Sequence, residues 1–327
     1  RYWTPVFHTP DHTGSELDLI IECNERLNHS IQLRLRSDVR VGASLSGGLD
    51  SSVLSGLIKE LHEEGAAQLG HTYSARFDDD PTISEGKYID AMIEYKKLQE
   101  PQFLSPDPKN IIKDSEKLHW HQEQPFLSAS MYLEWCVVKK AKETGTTVLL
   151  DGQGADEVYA GYQYYMPYHQ RDLLYSGRWA ELAKNTILFN SRMKKEAKLY
   201  QDGERRINHN IALNARQLFA AAMKEFYFMR RPQHKPIDTD IEGFPKNQRY
   251  NGLKTVLAQG TLCDMLPNNL HSADCNGMAH SVETRFPYID YDLYEWSLSL
   301  PNDLLIKLGW QKYILRRAAQ NVVPQKI

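Results

Sequence analysis

Two hydrophobic patterns alternate along the first half of the chain, and each predicts an element. Residues 16–36 carry apolar side chains at helical spacing, and so does the stretch that follows residue 52. Between them, residues 39–45 alternate apolar with polar or small side chains, which predicts a strand with a buried face. The apolar positions are Leu17, Ile20, Ile21, Leu27, Ile31 and Leu35, then Val39, Val41, Ala43 and Leu45, then Val53, Leu54, Leu57, Ile58 and Leu61. The order is helix, strand, helix.

The same kind of order continues to residue 150. Further strands are predicted at 70–77, 102–104 and 146–150, and further helices at 84–97, 109–121 and 129–143. Strands that alternate with helices are typical of a parallel sheet in an α/β fold. Beyond about residue 170 the strand patterns fade, and the remaining residues are predicted to be mainly helical.

The turn between the first strand and the helix after it holds the most informative motif. It reads Ser46-Gly47-Gly48-Leu49-Asp50-Ser51-Ser52. The start of a helix presents free N–H groups to an anion, glycine lets the backbone approach a ligand closely, and serine adds hydroxyl donors. Asp50 supplies a carboxylate suited to a magnesium ion shared with phosphate oxygens. No Gly-Lys-Ser/Thr follows, so this is not the common lysine-containing phosphate loop. The alternative interpretation is an ordinary glycine turn.

A second candidate ligand loop follows the strand predicted at 146–150. It begins Asp151-Gly152-Gln153-Gly154 and continues to Asp156-Glu157. In open α/β sheets, ligands bind outside the carboxyl ends of the strands. We therefore expect the turn at 46–52 and the loop at 151–157 to face one crevice.

Composition restricts the class of partner. The 327 residues include 39 basic and 42 acidic side chains, and the formal net charge is −3. This balance favours small-molecule partners over nucleic acid or an anionic membrane, and the basic stretch at 191–206 is predicted to be a solvated helix face. No apolar run reaches 18 residues, and the four cysteines lack disulfide or metal spacing. We expect a cytoplasmic protein with reduced cysteines.

Four segments, in this order, resemble the synthetase domain of glutamine-dependent asparagine synthetases. They are Leu45 to Ser52, Asp151 to Tyr162, Met278 to Asp290, and Lys312 to Arg316. The resemblance runs from about residue 15 to the end. It implies a doubly wound parallel sheet of the adenine-nucleotide alpha-hydrolase type with extra C-terminal helices. Residues 15–170 would hold the nucleotide-binding sheet and 171–327 the mainly helical part. Residues 1–14 would be a linker, or the tail of a glutaminase domain absent from this sequence.

The resemblance also implies a reaction and a set of site residues. A carboxylate would be amidated at the expense of ATP through an acyl-adenylate, with release of AMP and pyrophosphate and with Mg²⁺ as cofactor. ATP and pyrophosphate would be bound by Leu45, Ser46, Gly47, Gly48, Asp50, Ser51, Ser52, Ala75, Asp151 and Gly152. Leu45 and Ala75 match positions that hold adenine, largely through backbone atoms. Asp50 and Asp156 match the magnesium pair, and Lys312 matches the catalytic lysine.

One departure concerns Gln153, which stands where typical asparagine synthetases carry a glutamate. A neutral amide replaces a charge and a proton acceptor near the reaction, so Gln153 belongs to the predicted catalytic group but aspartate need not be the substrate. The loss suits a carboxylate that lacks a neighbouring ammonium. Another acid could be the acceptor.

The source of the attacking nitrogen also stays open. It could be ammonia from a glutaminase domain, free ammonium, or an amine within the substrate. The last case describes β-lactam synthetases and macrolactam-forming cyclases, which resemble the same domain. A non-catalytic nucleotide-binding module is a third hypothesis, and a homodimer stays open.

Overall fold

Five parallel strands form the central sheet of the computed structural model, in the order β3-β2-β1-β4-β5. The structure describes Trp3, Pro5 and residues 14–65, 69–80, 83–98, 100–125, 128–199 and 252–327. The sheet strands are β1 Val41–Ser44, β2 Leu69–Ala75, β3 Gln102–Leu104, β4 Val148–Leu150 and β5 Glu283–Arg285. A separate antiparallel hairpin pairs β6 Ile306–Lys307 with β7 Trp310–Gln311.

Helices connect the strands and follow them. In the described ranges they are α1 Glu16–Leu35, α2 Leu49–Glu63, α3 Gly86–Lys96, α4 Asn110–Gln122, α5 Ala129–Glu143, α6 Ala155–Val158, α7 Met166–Tyr175, α8 Trp179–Leu199, α9 Gly252–Leu262, α10 Met265–Ala279, α11 Tyr291–Ser299, α12 Asn302–Leu305 and α13 Tyr313–Ala318. Short 3₁₀ turns lie at Gln163–Tyr165 and Pro287–Ile289. None of these helices combines the length and the apolar character needed to cross a membrane.

The strand order confirms the predicted doubly wound α/β fold. From β1 the chain moves outward to β2 and β3, then returns to the other side of β1 for β4 and β5. Val41 of β1 pairs with Leu69 of β2 on one side and with Val148 of β4 on the other. The order therefore reverses between β1 and β4, and such a switch point is where open α/β sheets bind ligands.

The first strand is covered more completely than its alternating pattern predicts. Val41, Gly42 and Ala43 are all buried, whereas Val39 precedes the strand and is 48% exposed. The predicted buried face of Val41, Ala43 and Leu45 is therefore confirmed, and Gly42 on the opposite face is buried as well. In a parallel sheet helices pack on both faces, so consecutive residues of a central strand are enclosed.

The fifth strand lies in a stretch that the sequence predicts as mainly helical. It is the polar triplet Glu283-Thr284-Arg285, which pairs with Val148–Leu150 of β4. Three residues without apolar alternation show no strand pattern, so only the pairing with β4 identifies them. The sheet thus takes a strand from beyond residue 170, although α9 to α13 agree with the prediction of helices there.

Two predictions fall outside the residues that the structure describes. The segment 1–14 is described only at Trp3, Pro5 and Gly14, so its assignment as a linker stays a prediction. The basic stretch at 191–206 is described only to Leu199, and Arg205 and Arg206 are outside it.

Candidate active site

The loop between β1 and α2 is held closed by its own serines. The Ser46 N–H donates to Ser51 Oγ at 3.1 Å, the two hydroxyl oxygens are 2.9 Å apart, and the Gly48 N–H donates to Ser46 Oγ at 3.3 Å. Gly47 has φ +85°, a conformation that glycine adopts without strain. These contacts fix the loop at the start of the 15-residue helix α2. The positive end of that helix and its free N–H groups form a site suited to an anion.

Three predicted residues from distant parts of the chain meet beside this loop. Asp50 lies in the first turn of α2, Asp156 in the first turn of α6, and Lys312 directly before α13. The Lys312 ammonium nitrogen is 2.5 Å from Asp50 Oδ2 and 2.7 Å from Asp156 Oδ1. Lys312 is only 7% exposed. The structure therefore brings these three predicted side chains into direct contact.

The backbone around this group is held by long-range contacts. Lys312 has φ +52°, in the left-handed region that non-glycine residues adopt at a cost of about 1 kcal/mol or more. Its N–H donates to the Tyr159 carbonyl at 3.2 Å. The Tyr288 hydroxyl donates to the Asp50 carbonyl at 2.9 Å. Strained backbone of this kind is found at sites where a side chain must be placed in one position.

Burial and charge oppose each other in this group. Burial raises the pKa of Asp50, and the Lys312 ammonium partly offsets that rise. Burial alone would lower the pKa of Lys312, but the charges of Asp50 and Asp156 outweigh it and hold the pKa above its usual value. Lys312 therefore keeps its positive charge at neutral pH in a site with little solvent to screen it.

The carboxylates fit a magnesium ion. Asp50 Oδ1 is buried and has no hydrogen-bond partner among the described residues, so one oxygen of this pair is open to a cation. Magnesium prefers oxygen ligands and is commonly held by one or two carboxylates together with phosphate oxygens and water. In the described ranges, no three His, Cys, Asp or Glu side chains converge to hold a metal. The candidate protein ligands are therefore the two carboxylates of Asp50 and Asp156.

A cavity of about 710 Å³ lies at the carboxyl edge of the sheet, between α5 and α10. Five of the predicted residues line it: Leu45, Ser46, Ala75, Asp151 and Gln153. The predicted adenine positions therefore share one chamber with the glutamine that departs from the family pattern. Asp50, Asp156 and Lys312 are not among its lining residues, so their cluster is distinct from the cavity.

Leu45 is tied to the neighbouring strand by its backbone. Its N–H donates to the Tyr73 carbonyl at 2.8 Å, and its own carbonyl accepts from Ser74 Oγ at 2.6 Å. Its only N–H is thus engaged by β2, and the residue itself lines the cavity. Gly152 packs closely against the loop, since a Cβ there would be 3.3 Å from the Ser51 nitrogen.

Comparison with known proteins assigns this arrangement to a family. The model of the family described as asparagine synthase matches residues 22–327. The chain belongs to the asparagine synthase family. The match includes the loop, the Asp50–Lys312–Asp156 cluster and every residue named in the cavity, and it confirms the resemblance seen in the sequence.

Relatives within the asparagine synthase family include proteins with different names. Asparagine synthetase [glutamine-hydrolyzing] 1 of Bacillus subtilis is 26% identical over 314 residues, which cover 94% of this chain and 48% of that protein. Putative asparagine synthetase [glutamine-hydrolyzing] 2 of Methanocaldococcus jannaschii is 32% identical over 175 residues, 53% of this chain and 32% of the relative. Amidase chyE of Penicillium rubens is 23% identical over 352 residues, 96% and 51% of the two chains. The chain spans about half the length, or less, of these relatives.

Some cavity residues of this asparagine synthase family member were not predicted. Glu134 lines the cavity from α5, on the same helix face as buried Met131 and Val138. Burial raises the pKa of Glu134 to about 8, and the charge of Asp151 adds to the rise. A carboxylate in an otherwise apolar helical stripe is the pattern that could have identified it.

The sequence also did not predict the contact between Tyr162 and Glu157. The Tyr162 hydroxyl, from a residue that lines the cavity, donates to Glu157 Oε1 at 3.2 Å. Glu157 is buried, and burial raises its pKa to about 7. Tyr162 also stacks on Tyr164, with ring centroids 5.3 Å apart. Tyr162 is one of five tyrosines between residues 159 and 168, and the sequence does not show which of them reaches the cavity.

The raised pKa of Glu134 predicts a pH-dependent contribution to stability. The folded pKa of about 8 lies above the value near 4.5 of an exposed glutamate, so the fold favours the protonated form. That contribution is full below about pH 4.5 and is lost as the pH rises through about 8. Glu134→Gln cannot ionise, so the variant should gain stability relative to wild type between pH 5 and pH 8. Urea unfolding at both pH values measures this, and parallel changes in the two proteins would contradict it.

Proposed function

We propose that this protein amidates a carboxylate at the expense of ATP, through an acyl-adenylate, with release of AMP and pyrophosphate. Membership of the asparagine synthase family supports a ligase of this kind. The observation that carries the proposal is the Lys312 ammonium, buried between Asp50 and Asp156 beside the start of α2. It brings a fixed positive charge to a loop built to bind an anion.

Each part of the site has a role in the adenylation step. The N–H groups and hydroxyls of Ser46 to Ser52 would bind the pyrophosphate portion of ATP. Leu45 and Ala75 would border the adenine, and Asp151 and Gly152 would complete the nucleotide site. A magnesium ion held by Asp50 and Asp156 would neutralise charge on the phosphates. Lys312 would stabilise the negative charge that grows on the phosphate as the substrate carboxylate attacks it. Such preorganised charge is worth more in a buried site than in water.

The second step requires a nitrogen nucleophile. Displacement of AMP by ammonia would give a primary amide and regenerate the nucleotide site. Ammonia from a glutaminase domain or free ammonium would serve, as the glutamine-hydrolysing names of two relatives suggest for those proteins. Gln153 favours an acceptor other than aspartate, and an amine within the substrate would instead give a cyclic amide. The four cysteines are free, which supports our proposal that the reaction takes place in the cytoplasm.

The test is to measure pyrophosphate and AMP together. The protein is incubated with Mg-ATP and a panel of carboxylates, each with and without ammonium. We expect release of both products with at least one acid, in equal amounts when a nitrogen nucleophile is present. Release of ADP and phosphate, or no release with any acid, would overturn the proposal. Release without ammonium and with a cyclic product would favour the intramolecular reaction.

Gly161 offers a sharp test of how the site is packed. A Cβ at this position would lie 1.9 Å from Asp156 Oδ1 and 2.0 Å from Lys312 Cε. Gly161→Ala must therefore displace one of these side chains, and we expect pyrophosphate release to fall by about a hundredfold. The matched control is Gly145→Ala, where a Cβ would meet nothing within 4 Å and the positive φ alone costs stability. Equal activity in the two variants would contradict the packing argument.

A further inference from the structure

The cavity beside the nucleotide loop has an unusual charge distribution for an enzyme whose substrates are anions. Its described lining residues include four carboxylates and no lysine, arginine or histidine. The carboxylates are Glu85, Glu134, Asp151 and Asp264. These carboxylates disfavour an anionic ligand group in the cavity. They favour a ligand group that is cationic or donates hydrogen bonds.

Glu134 is oriented by a hydrogen-bond network that extends through two helices. Its Oε2 accepts a hydrogen bond from Asn276 Nδ2 at 3.0 Å. Asn276 is fully buried, and its Oδ1 accepts from Gln122 Nε2 at 2.8 Å. Gln122 also donates to the Ser272 carbonyl at 3.0 Å. Side chains and backbone from α4 and α10 thus fix the orientation of Glu134, and no described residue donates to its Oε1.

An unpartnered hydroxyl lies on the same wall. Ser272 lines the cavity from α10, is only 1% exposed, and its Oγ has no hydrogen-bond partner among the described residues. A buried hydroxyl without a partner is costly, and a ligand that bonds to it recovers that cost. Glu134 and Ser272 therefore both present unused polar atoms on the α5 and α10 side of the chamber.

We propose that Glu134 is a specificity-determining residue that binds an amino group of a substrate in this cavity. This inference rests on the proposed amidation and names a substrate feature for it. The neutral Gln153 lines the same cavity, so Glu134 supplies from α5 the negative charge that position 153 lacks. It also revises the expectation drawn from Gln153 alone, that the acceptor lacks an ammonium group.

Two substrates could carry that amino group. It could belong to the carboxylate acceptor, or it could be the attacking amine or ammonium itself. In both cases a nitrogen cation would lie against Glu134. The two cases differ in which reaction step depends on that contact. The first affects adenylation, and the second affects only the displacement of AMP.

Proton linkage provides a readout that a purely structural role would not move. Asp151 at the end of β4 adds negative charge, Asn276 of α10 donates to the carboxyl, and Glu85 and Asp264 complete the charged lining. Burial raises the pKa of Glu134 to about 8, and a bound ammonium favours its ionised form. Binding of the amino group should therefore release a proton below about pH 8. Calorimetry in buffers of different ionisation enthalpy detects this release, and Glu134→Gln should abolish it.

The experiment compares acids that differ only in an amino group: aspartate with succinate, glutamate with glutarate, and β-alanine with propionate. Pyrophosphate release is measured without ammonium, and the KM for ammonium is measured with the best acid. We expect wild type either to prefer the amino member of a pair by about tenfold or more, or to show an ammonium KM that Glu134→Gln raises by a similar factor. In the first case Glu134→Gln should remove most of the preference. Binding of ATP should be unchanged.

Direct binding separates the failure of this inference from failure of the amidation. The same acids and ammonium chloride are titrated into the protein in the presence of a non-hydrolysable ATP analogue. If pyrophosphate is never released but an amino compound still binds more weakly to Glu134→Gln, the inference stands and the proposed reaction fails.

Two results would overturn it. One is equal behaviour of wild type and Glu134→Gln toward every amino compound. The other is an equal loss in Asp264→Asn, the matched change of another cavity carboxylate, because the effect would then reflect total charge rather than Glu134.

Discussion

Replacement of Lys312 by alanine should reduce pyrophosphate release by about 10²- to 10³-fold or more, the cost of removing one preorganised charge from a transition state. The ammonium lies 2.5 Å from Asp50 and 2.7 Å from Asp156, in a site where solvent does not screen it. Nucleotide binding should be largely retained, because the hydrogen bonds of Ser46 and Ser51 close the loop and Lys312 does not line the cavity. The measurement is pyrophosphate release with the best acid, beside the Kd for ATP.

A matched lysine separates this effect from a general change of charge. Lys307 pairs with Glu16 and lies five residues earlier, outside the site, so Lys307→Ala should keep wild-type activity. Lys312→Ala keeps a non-glycine residue at the left-handed position, so it changes the side chain without changing the backbone preference. Undiminished pyrophosphate release in Lys312→Ala would remove this residue from the mechanism.

The second large effect is expected at Asp50. Asp50→Asn keeps the size of the side chain but removes the charge, so magnesium-dependent nucleotide binding should weaken by about tenfold to a hundredfold. Of the two carboxylates that contact Lys312 in the cluster, the same change leaves only that of Asp156. The measurement is a magnesium titration of ATP binding, in which the midpoint should move to higher metal concentration.

An acid outside the site provides the control for that titration. Asp303, at the start of α12, forms an ion pair with Arg178. Asp303→Asn should therefore leave the midpoint of the magnesium titration at its wild-type value. A metal-response curve for Asp50→Asn that coincides with wild type would reject the assignment of Asp50 as a ligand. A loss of ATP affinity that persists without magnesium would indicate that Asp50 contacts the nucleotide directly rather than through the metal.

The proposals for Lys312, Asp50 and Glu134 divide the site into two functional sides. On these proposals, Lys312 and Asp50 would act on the phosphates, beside the loop and α2. Glu134 would act in the cavity between α5 and α10, where the other substrates would bind. The variants should therefore have separable effects, since Lys312→Ala changes turnover and Glu134→Gln changes preference among substrates.

The sequence by itself determined the elements whose patterns are local. Helical spacing predicted α1 and α2, and the glycine- and serine-rich turn between β1 and α2 stands out because its conformation depends on the residues within it. The loop at 151–157 was recognised for the same reason, since it directly follows a short apolar strand. Four of the five strands and the parallel order of the sheet follow from such patterns.

Only the tertiary structure decided what depends on residues far apart in the chain. The strand Glu283–Arg285 is polar and short, and its pairing with β4 is what makes it a strand. The sequence placed Lys312 in the site only by its resemblance to a family, whereas the fold brings it within 2.7 Å of Asp156. In the sequence Glu134 is one charged residue on a predicted helix, and only the packing of α10 beside α5 makes it part of a cavity wall. Periodicity records which face of an element is buried, but the partner that buries it, and the chamber between them, are set by packing across the whole fold.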